Sequence, residues 1–191
     1  IRRVYVPARM PDAAAHALAE RARRARVGDG FAEGVQIGPI NNRPQFDRVG
    51  SLVDEAVRDG AQVAAGGHAM EGDGYFFEPT ILHGLREGSR VVDEEQFGPV
   101  LPVMAYDHID EAISRANATR YGLSGSVWGT DTARAASVAS RLSCGTAYVN
   151  THLVSQPHLP FGGRDWSGFG TENGHWGLDE FTELQVLYTP R

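Results

Sequence analysis

Two adjacent carboxylates, Glu94 and Glu95, stand in front of Gln96, Phe97, Gly98 and Pro99 in the segment EEQFGPV. Carboxylate pairs that share acid and base work on a glycoside face each other about 5 Å or more apart across the substrate. Neighbours on an extended segment point to opposite sides, so Glu94 and Glu95 cannot form such a pair. One of them can face a cleft at the edge of a sheet and accept hydrogen bonds from a diol, each contributing roughly 1.5–3 kcal/mol to a charged acceptor. An aromatic residue two positions on points to the same side as Glu95 and can pack on a planar ring. Glu95 with Phe97 therefore has the chemistry of a holder for a sugar and its attached base; the same residues would also serve in an ordinary surface turn.

Other chemistry-bearing residues give weaker patterns. Cys144 is the only cysteine, so no internal disulfide is possible, which suits a cytoplasmic protein. It lies in SRLSCGTAYVN, at the C-terminal end of an expected helix, where the negative partial charge disfavours a thiolate. It reads as a small apolar residue rather than a nucleophile. His152, His158 and His175 share neither helical spacing nor companion ligands, so no metal site is expected. GLSGS and DWSGFG both miss the serine-hydrolase elbow. GFGTENG has one residue too many for a dinucleotide fingerprint and follows no clear strand. Asn117 opens a glycosylation-type NAT triplet, a pattern common by chance.

The elements that must position these residues alternate regularly. VYVP (Val4–Pro7) reads as a strand, and the next stretch as a helix opened by Pro11 and Asp12 and ended by Gly28, with Ala14, Leu18, Ala22 and Ala25 at helical spacing. A Gly-rich loop leads to a second helix whose stripe is Phe46, Val49, Leu52, Val53, Ala56 and Val57, stopping near Gly60. Two extended pieces follow, AQVAAGG and FFEPTILHG. Strand Val100–Tyr106, a helix carrying Ile109, Ala112, Ile113 and Ala116, strand Leu123–Trp128, a helix carrying Ala135, Val138, Ala139 and Leu142, and strand Thr146–Asn150 complete the alternation. Such a rhythm predicts βαβ units: an α/β fold with a mostly parallel sheet covered on both faces. Beyond Asn150 come a long Gly-rich loop, a short helical piece near Gly177–Phe181 and a last strand, LQVLYT.

The 191 residues suffice for one large domain with its own core, and the net charge of −6 with scattered arginines argues against a nucleic-acid partner. The densest basic run, ERARRAR, reads as the solvated end of the first helix. No apolar run approaches the roughly 18–20 residues needed to span a bilayer, and no signal peptide is visible. Because IRRVYVP already reads as a core strand, the front of a larger protein is expected to be missing.

In order, RRVYV, IGPI with QFDR behind it, EEQFGPVLPV, YGLSGSVWGTD, CGTAYVN, LPFGGRDWSGFGTENG and FTELQ resemble the C-terminal portion of the aldehyde dehydrogenase superfamily, over essentially all 191 residues. The resemblance implies a three-layer α/β/α catalytic domain over residues 1–175 and a C-terminal tail over 176–191 whose strand joins a partner subunit. It implies NAD or NADP as cofactor, an aldehyde substrate and a homo-oligomer, a dimer or tetramer in the parent protein. Glu95 would hold the nicotinamide ribose hydroxyls and Phe97 would pack beside the nicotinamide. Gln45 and Arg48 would reach the cofactor from the same side. Phe161 would line the substrate tunnel, with Leu153 and Ser155 at a roomy corner of its wall.

The family's mechanism implies a cysteine that attacks the aldehyde, hydride transfer, and water attack on the resulting thioester, aided by a glutamate base and an oxyanion asparagine. By the resemblance all three residues lie upstream of Ile1, so no catalytic residue is expected within the chain, and the chain alone is expected to be inactive. Glu94 is then structural. Two positions depart from the family's pattern: Asp165 stands where a lysine is usual and Thr171 where an arginine is usual, which puts local packing and subunit contacts in doubt. Competing readings are a non-catalytic binding or assembly module and a CoA-acylating relative.

Overall fold

The computed structural model describes all residues, 1–191. They divide into two compact units, Ile1–Ala112 and Ile113–Arg191.

The first unit is built on strands β1 (Val4–Pro7), β2 (Gln62–Ala65), β3 (Thr80–His83) and β4 (Val100–Tyr106), with helices α1 (Pro11–Arg24), α2 (Arg43–Arg58) and α3 (Arg90–Asp93). The sheet order is β1-β4-β3-β2. β4 is parallel to both β1 and β3, and only β2 runs antiparallel, with a register shift between Val63 and Ala65. Alternation along the strands sorts the side chains into two cores. Leu82, Val100, Met104 and Tyr5 meet Val49, Leu52, Val53 and Ala56 of α2 and Val91 and Val92 of α3 on one face. Ile81, Val103, Val6 and Ala65 meet Ala15 and Ala19 of α1 on the other. This is the three-layer α/β/α arrangement with a mostly parallel sheet.

Local chemistry accounts for the helix ends. The Asn42 side chain caps α2 by accepting from Gln45 N, and a proline occupies the first turn. Gly60, at φ 98°, follows its end. α1 starts at Pro11 and carries Arg21, Arg23 and Arg24 in its last turn, where cations suit the helix dipole. It stops at Arg24, a turn before the expected Gly28, because Ala25 turns to extended backbone and the chain folds back so that Gln36 N donates to Arg26 O. Val57 leaves the α2 stripe at 44% exposure, beyond the arc the sheet covers.

α4 (Ile109–Asn117) runs on into the second unit, which contains β5 (Ser124–Val127), α5 (Thr132–Ala139), β6 (Thr146–Val149), β7 (Phe161–Gly162), β8 (Thr171–Glu172) and α6 (Gly174–Asp179). β5 and β6 pair in parallel with α5 as their crossover, and Asp131 caps α5 by accepting from Arg134 N. β7 and β8 form a small antiparallel pair. The expected last strand is different: residues 183–191 have no β partner in the chain, and Leu184, Val186, Leu187 and Tyr188 are exposed. A lone strand cannot satisfy its own ladder.

Candidate functional site

The segment from Glu94 to Pro99 joins α3 to β4 and lies against α2. Gly98 permits that approach, since a Cβ there would come 2.6 Å from Val49 Cγ2. Gln96 is buried, and its amide donates to the carbonyls of Val91 and Arg2. Of the flanking residues, Glu95 is half-buried and Phe97 exposed. Phe97 is 77% exposed. Its φ of 44° places it in the left-handed region, where a bulky residue is held only by its surroundings. The simple alternation that would put Glu95 and Phe97 on one side of a regular strand therefore does not apply.

Two donors on α2 fix this turn. Gln45 Nε2 donates to the carbonyls of Gln96 and Phe97. Arg48 Nη1 donates to Glu95 O at 2.7 Å, and Nη2 to Glu94 Oε2 at 2.8 Å. Both side chains thus serve the backbone of the segment. The Glu95 carboxylate is half-buried and makes no hydrogen bond or ion pair. A concavity of about 360 Å³ lies alongside, lined by Asn41, Asn42, Pro44, Gln45, Arg48 and Phe97. The structure brings Gln45, Arg48 and Phe97 to one hollow, with Glu95 on the adjoining turn. Asn41 and Asn42 were not singled out from sequence; the signal available was Asn42 as a helix cap before Arg43-Pro44.

Glu94 is fully engaged. Arg90 Nε donates to its Oε1 at 2.7 Å and Arg90 Nη2 to its Oε2 at 3.3 Å. The Arg90 hydrogen bond, together with the Arg48 hydrogen bond and the charges of both arginines, outweighs burial and holds the carboxyl below the usual carboxylate range. A depressed folded pKa adds stability above the unfolded value, near 4.5, and that stability is lost as pH falls through the folded value. The urea midpoint of the protein should therefore drop more steeply than that of Glu94→Gln on acidification below about pH 4.5. Parallel curves would contradict the assignment.

In the second unit a hollow of about 250 Å³ is lined by Ser155 and Phe161 together with Thr146, Tyr148, Val154 and Leu159 among others. Tyr148 donates its hydroxyl to Val154 O at 3.0 Å and packs edge-on to His152, centroids 5.4 Å apart, which ties down the loop after β6. Leu153, by contrast, does not line this hollow: it is 76% exposed, at φ 57°. Thr146 Oγ1 and His152 Nδ1 are buried without a hydrogen-bond partner, and burial pushes the His152 pKa down. The Cys144 thiol lies 3.2 Å from Thr146 O, and burial pushes its pKa up. No three His, Cys, Asp or Glu side chains converge to hold a metal, and no helix is long and apolar enough to cross a membrane. Asp165 takes a left-handed φ of 53° and bridges to Tyr121, while Thr171 pairs with Gly162, so both departures sit in locally paired backbone.

The Glu95 carboxylate suits a vicinal diol, and the exposed Phe97 ring suits a flat heterocycle. The model of the aldehyde dehydrogenase family matches residues 1–187. Aldehyde dehydrogenase 1A1 of Gallus gallus is 37% identical over 185 residues, covering 97% of this chain and 36% of the relative. Betaine aldehyde dehydrogenase 1 of Rhizobium meliloti is 37% identical over 189 residues, covering 97% and 39%. Among solved structures, the NAD+ complex of an aldehyde dehydrogenase from Bacillus cereus superposes with a TM-score of 0.90 at 35% identity, covering 95% of this chain and 37% of that one. A betaine aldehyde dehydrogenase of Staphylococcus aureus in complex with NAD+ gives 0.88 at 35%, covering 94% and 37%. The chain spans under two fifths of the length of these relatives.

Proposed function

The chain belongs to the aldehyde dehydrogenase family, and from that premise we propose that it forms the dinucleotide-facing part of an enzyme that oxidises an aldehyde to a carboxylic acid. When bound, NAD+ supplies the hydride acceptor; NADP+ is the other candidate, and a titration with both separates them. The observation that carries the reading is the Glu95 carboxylate, without a protein partner, on the same turn as the exposed Phe97 ring.

Glu95 is proposed to accept both hydroxyls of the nicotinamide ribose. Phe97 packs beside the nicotinamide and limits its tilt. Gln45 and Arg48, which hold the carbonyls of residues 95–97 and line the same hollow, are proposed to reach the cofactor from that side. The nucleophile of the proposed cysteine thiohemiacetal and thioester route is no residue of this chain, since its single thiol is pushed up in pKa by burial. Phe161 and Ser155 are proposed as tunnel wall for the aldehyde, with Leu153 outside the hollow at the loop surface. Residues 1–175 are assigned to the catalytic domain and 176–191 to an assembly tail, the exposed Leu184, Val186 and Tyr188 supporting a β contact with a second subunit in a dimer or tetramer. A cytoplasmic location is part of the reading, supported by the free cysteine.

In the complete protein, Glu95→Gln is expected to weaken NAD+ binding about tenfold to hundredfold, the loss of charge-assisted bonds to one diol. Fluorescence titration reads this directly. Unchanged affinity in Glu95→Gln would overturn the assignment, and release of a CoA thioester instead of a free acid would move the protein to the acylating branch.

A further inference from the structure

Glu94 stands next to the ribose-facing residue, yet its oxygens are committed to arginines. Arg90 links it to α2, because Arg90 Nη1 donates to Glu55 Oε2 at 2.9 Å. Arg48 links it to the turn, with one nitrogen on Glu94 and the other on Glu95 O. A continuous relay thus runs from Glu55 through Arg90, Glu94 and Arg48 and ends on the backbone of the residue whose carboxylate is open.

Resting on the dinucleotide reading above, we propose that Glu94 is a positioning residue for that site: it sets the plane of the Arg48 guanidinium and, through it, the Glu95–Phe97 turn. A guanidinium offers its donors in a rigid planar fork. With one edge pinned by the Glu94 carboxylate, the remaining nitrogen is aimed at Glu95 O. Without that carboxylate the Arg48 side chain regains rotamers, and the Glu95 carbonyl loses a fixed donor. The strained φ at Phe97, which persists only where neighbours over-determine it, then relaxes.

Magnitude separates this role from a merely structural one. The Arg48 and Glu94 side chains are 33% and 37% exposed, and pairs of that exposure contribute little to stability. The cost of losing Glu94 falls on the geometry of the turn, hence on the dinucleotide and not on the aldehyde.

The test uses the complete protein that contains this chain. Glu94→Ala is expected to raise both the Kd and the KM for NAD+ about tenfold, the scale of one charge-assisted hydrogen bond, with the aldehyde KM nearly unchanged. Arg48→Ala should do the same, and the double variant should be no worse than the worse single one, as expected of residues acting in series. Glu94→Gln, which keeps an acceptor and the side-chain length, should recover part of the loss and serves if the alanine variant folds poorly. NAD+ affinity unchanged in Glu94→Ala and Glu94→Gln while Glu95→Gln loses it overturns the positioning role and leaves the dinucleotide site standing. Additive losses for Glu94→Ala and Arg48→Ala, or equal rises in both KM values with a fall in Tm, also overturn it. Unchanged affinity in Glu95→Gln removes the dinucleotide reading and this proposal together.

Discussion

Assayed alone with saturating NAD+ or NADP+ and a panel of aldehydes, the 191-residue chain is expected to reduce no dinucleotide above a buffer blank. Covalent oxidation of an aldehyde needs a thiolate to add to the carbonyl before hydride can leave. Cys144 is the only thiol, and burial outweighs the Gly125 backbone hydrogen bond and the Arg164 charge that favour its ionisation. Burial raises its pKa, and its Sγ faces the Thr146 carbonyl at 3.2 Å, an acceptor that favours the protonated thiol. It lies five residues beyond the end of α5 at Ala139, past the last turn in which the helix dipole acts, so the expected helix-end position is not what disfavours its thiolate. Loss of the nucleophile costs on the order of 10⁶ in rate in a covalent enzyme, an effect larger than any other argued for this chain. A complete protein containing the chain should turn over aldehyde under the same conditions. Turnover by the chain alone that disappears in Cys144→Ser would overturn the argument.

Sequence reached the architecture because the apolar periods are clean. Phe46, Val49, Leu52, Val53 and Ala56 repeat at helical spacing and do pack together on one sheet face. Val100–Tyr106 alternates, and its two sets of side chains do enter separate cores. The misses share a cause. α3 has four residues, and β7 and β8 two each, too short for any period to register. The site was legible as residue types: an acid, an aromatic and a glycine-proline turn. Its geometry was not, because the left-handed Phe97 is imposed by α2 donors some fifty residues away in sequence. For the same reason the hydrogen bonds that Gln45 and Arg48 make to carbonyls of this turn are not legible in the sequence. The tail LQVLYT has strand composition, but composition cannot supply the partner that a ladder requires.

Gly145→Ala is expected to unfold or severely loosen the second unit. Gly145 opens β6, and its backbone passes directly over β7: a Cβ built there would stand 1.6 Å from Gly162 O and 2.7 Å from Gly162 C. These are backbone atoms, so no side-chain rotation can relieve the overlap. Nor can the main chain back away freely. Gly122 O accepts from both Gly145 N at 2.9 Å and Arg164 N at 3.0 Å, and Thr146 N donates to Leu123 O at 3.1 Å, so separating β6 from β7 breaks the bonds that join them to the start of β5. The cost should reach about 3 kcal/mol or more, the upper range for overpacking at a site that cannot yield. Gly170→Ala is the matched control, since an added Cβ there meets nothing within 4 Å; its effect should stay within about 0.5 kcal/mol. Urea unfolding of both variants measures the difference. Because Phe161 of β7 and Thr146 of β6 line the same hollow, any Gly145→Ala protein that survives should also have that hollow pried open. A Gly145→Ala midpoint equal to that of Gly170→Ala would mean that β6 and β7 do not approach as closely as the backbone indicates.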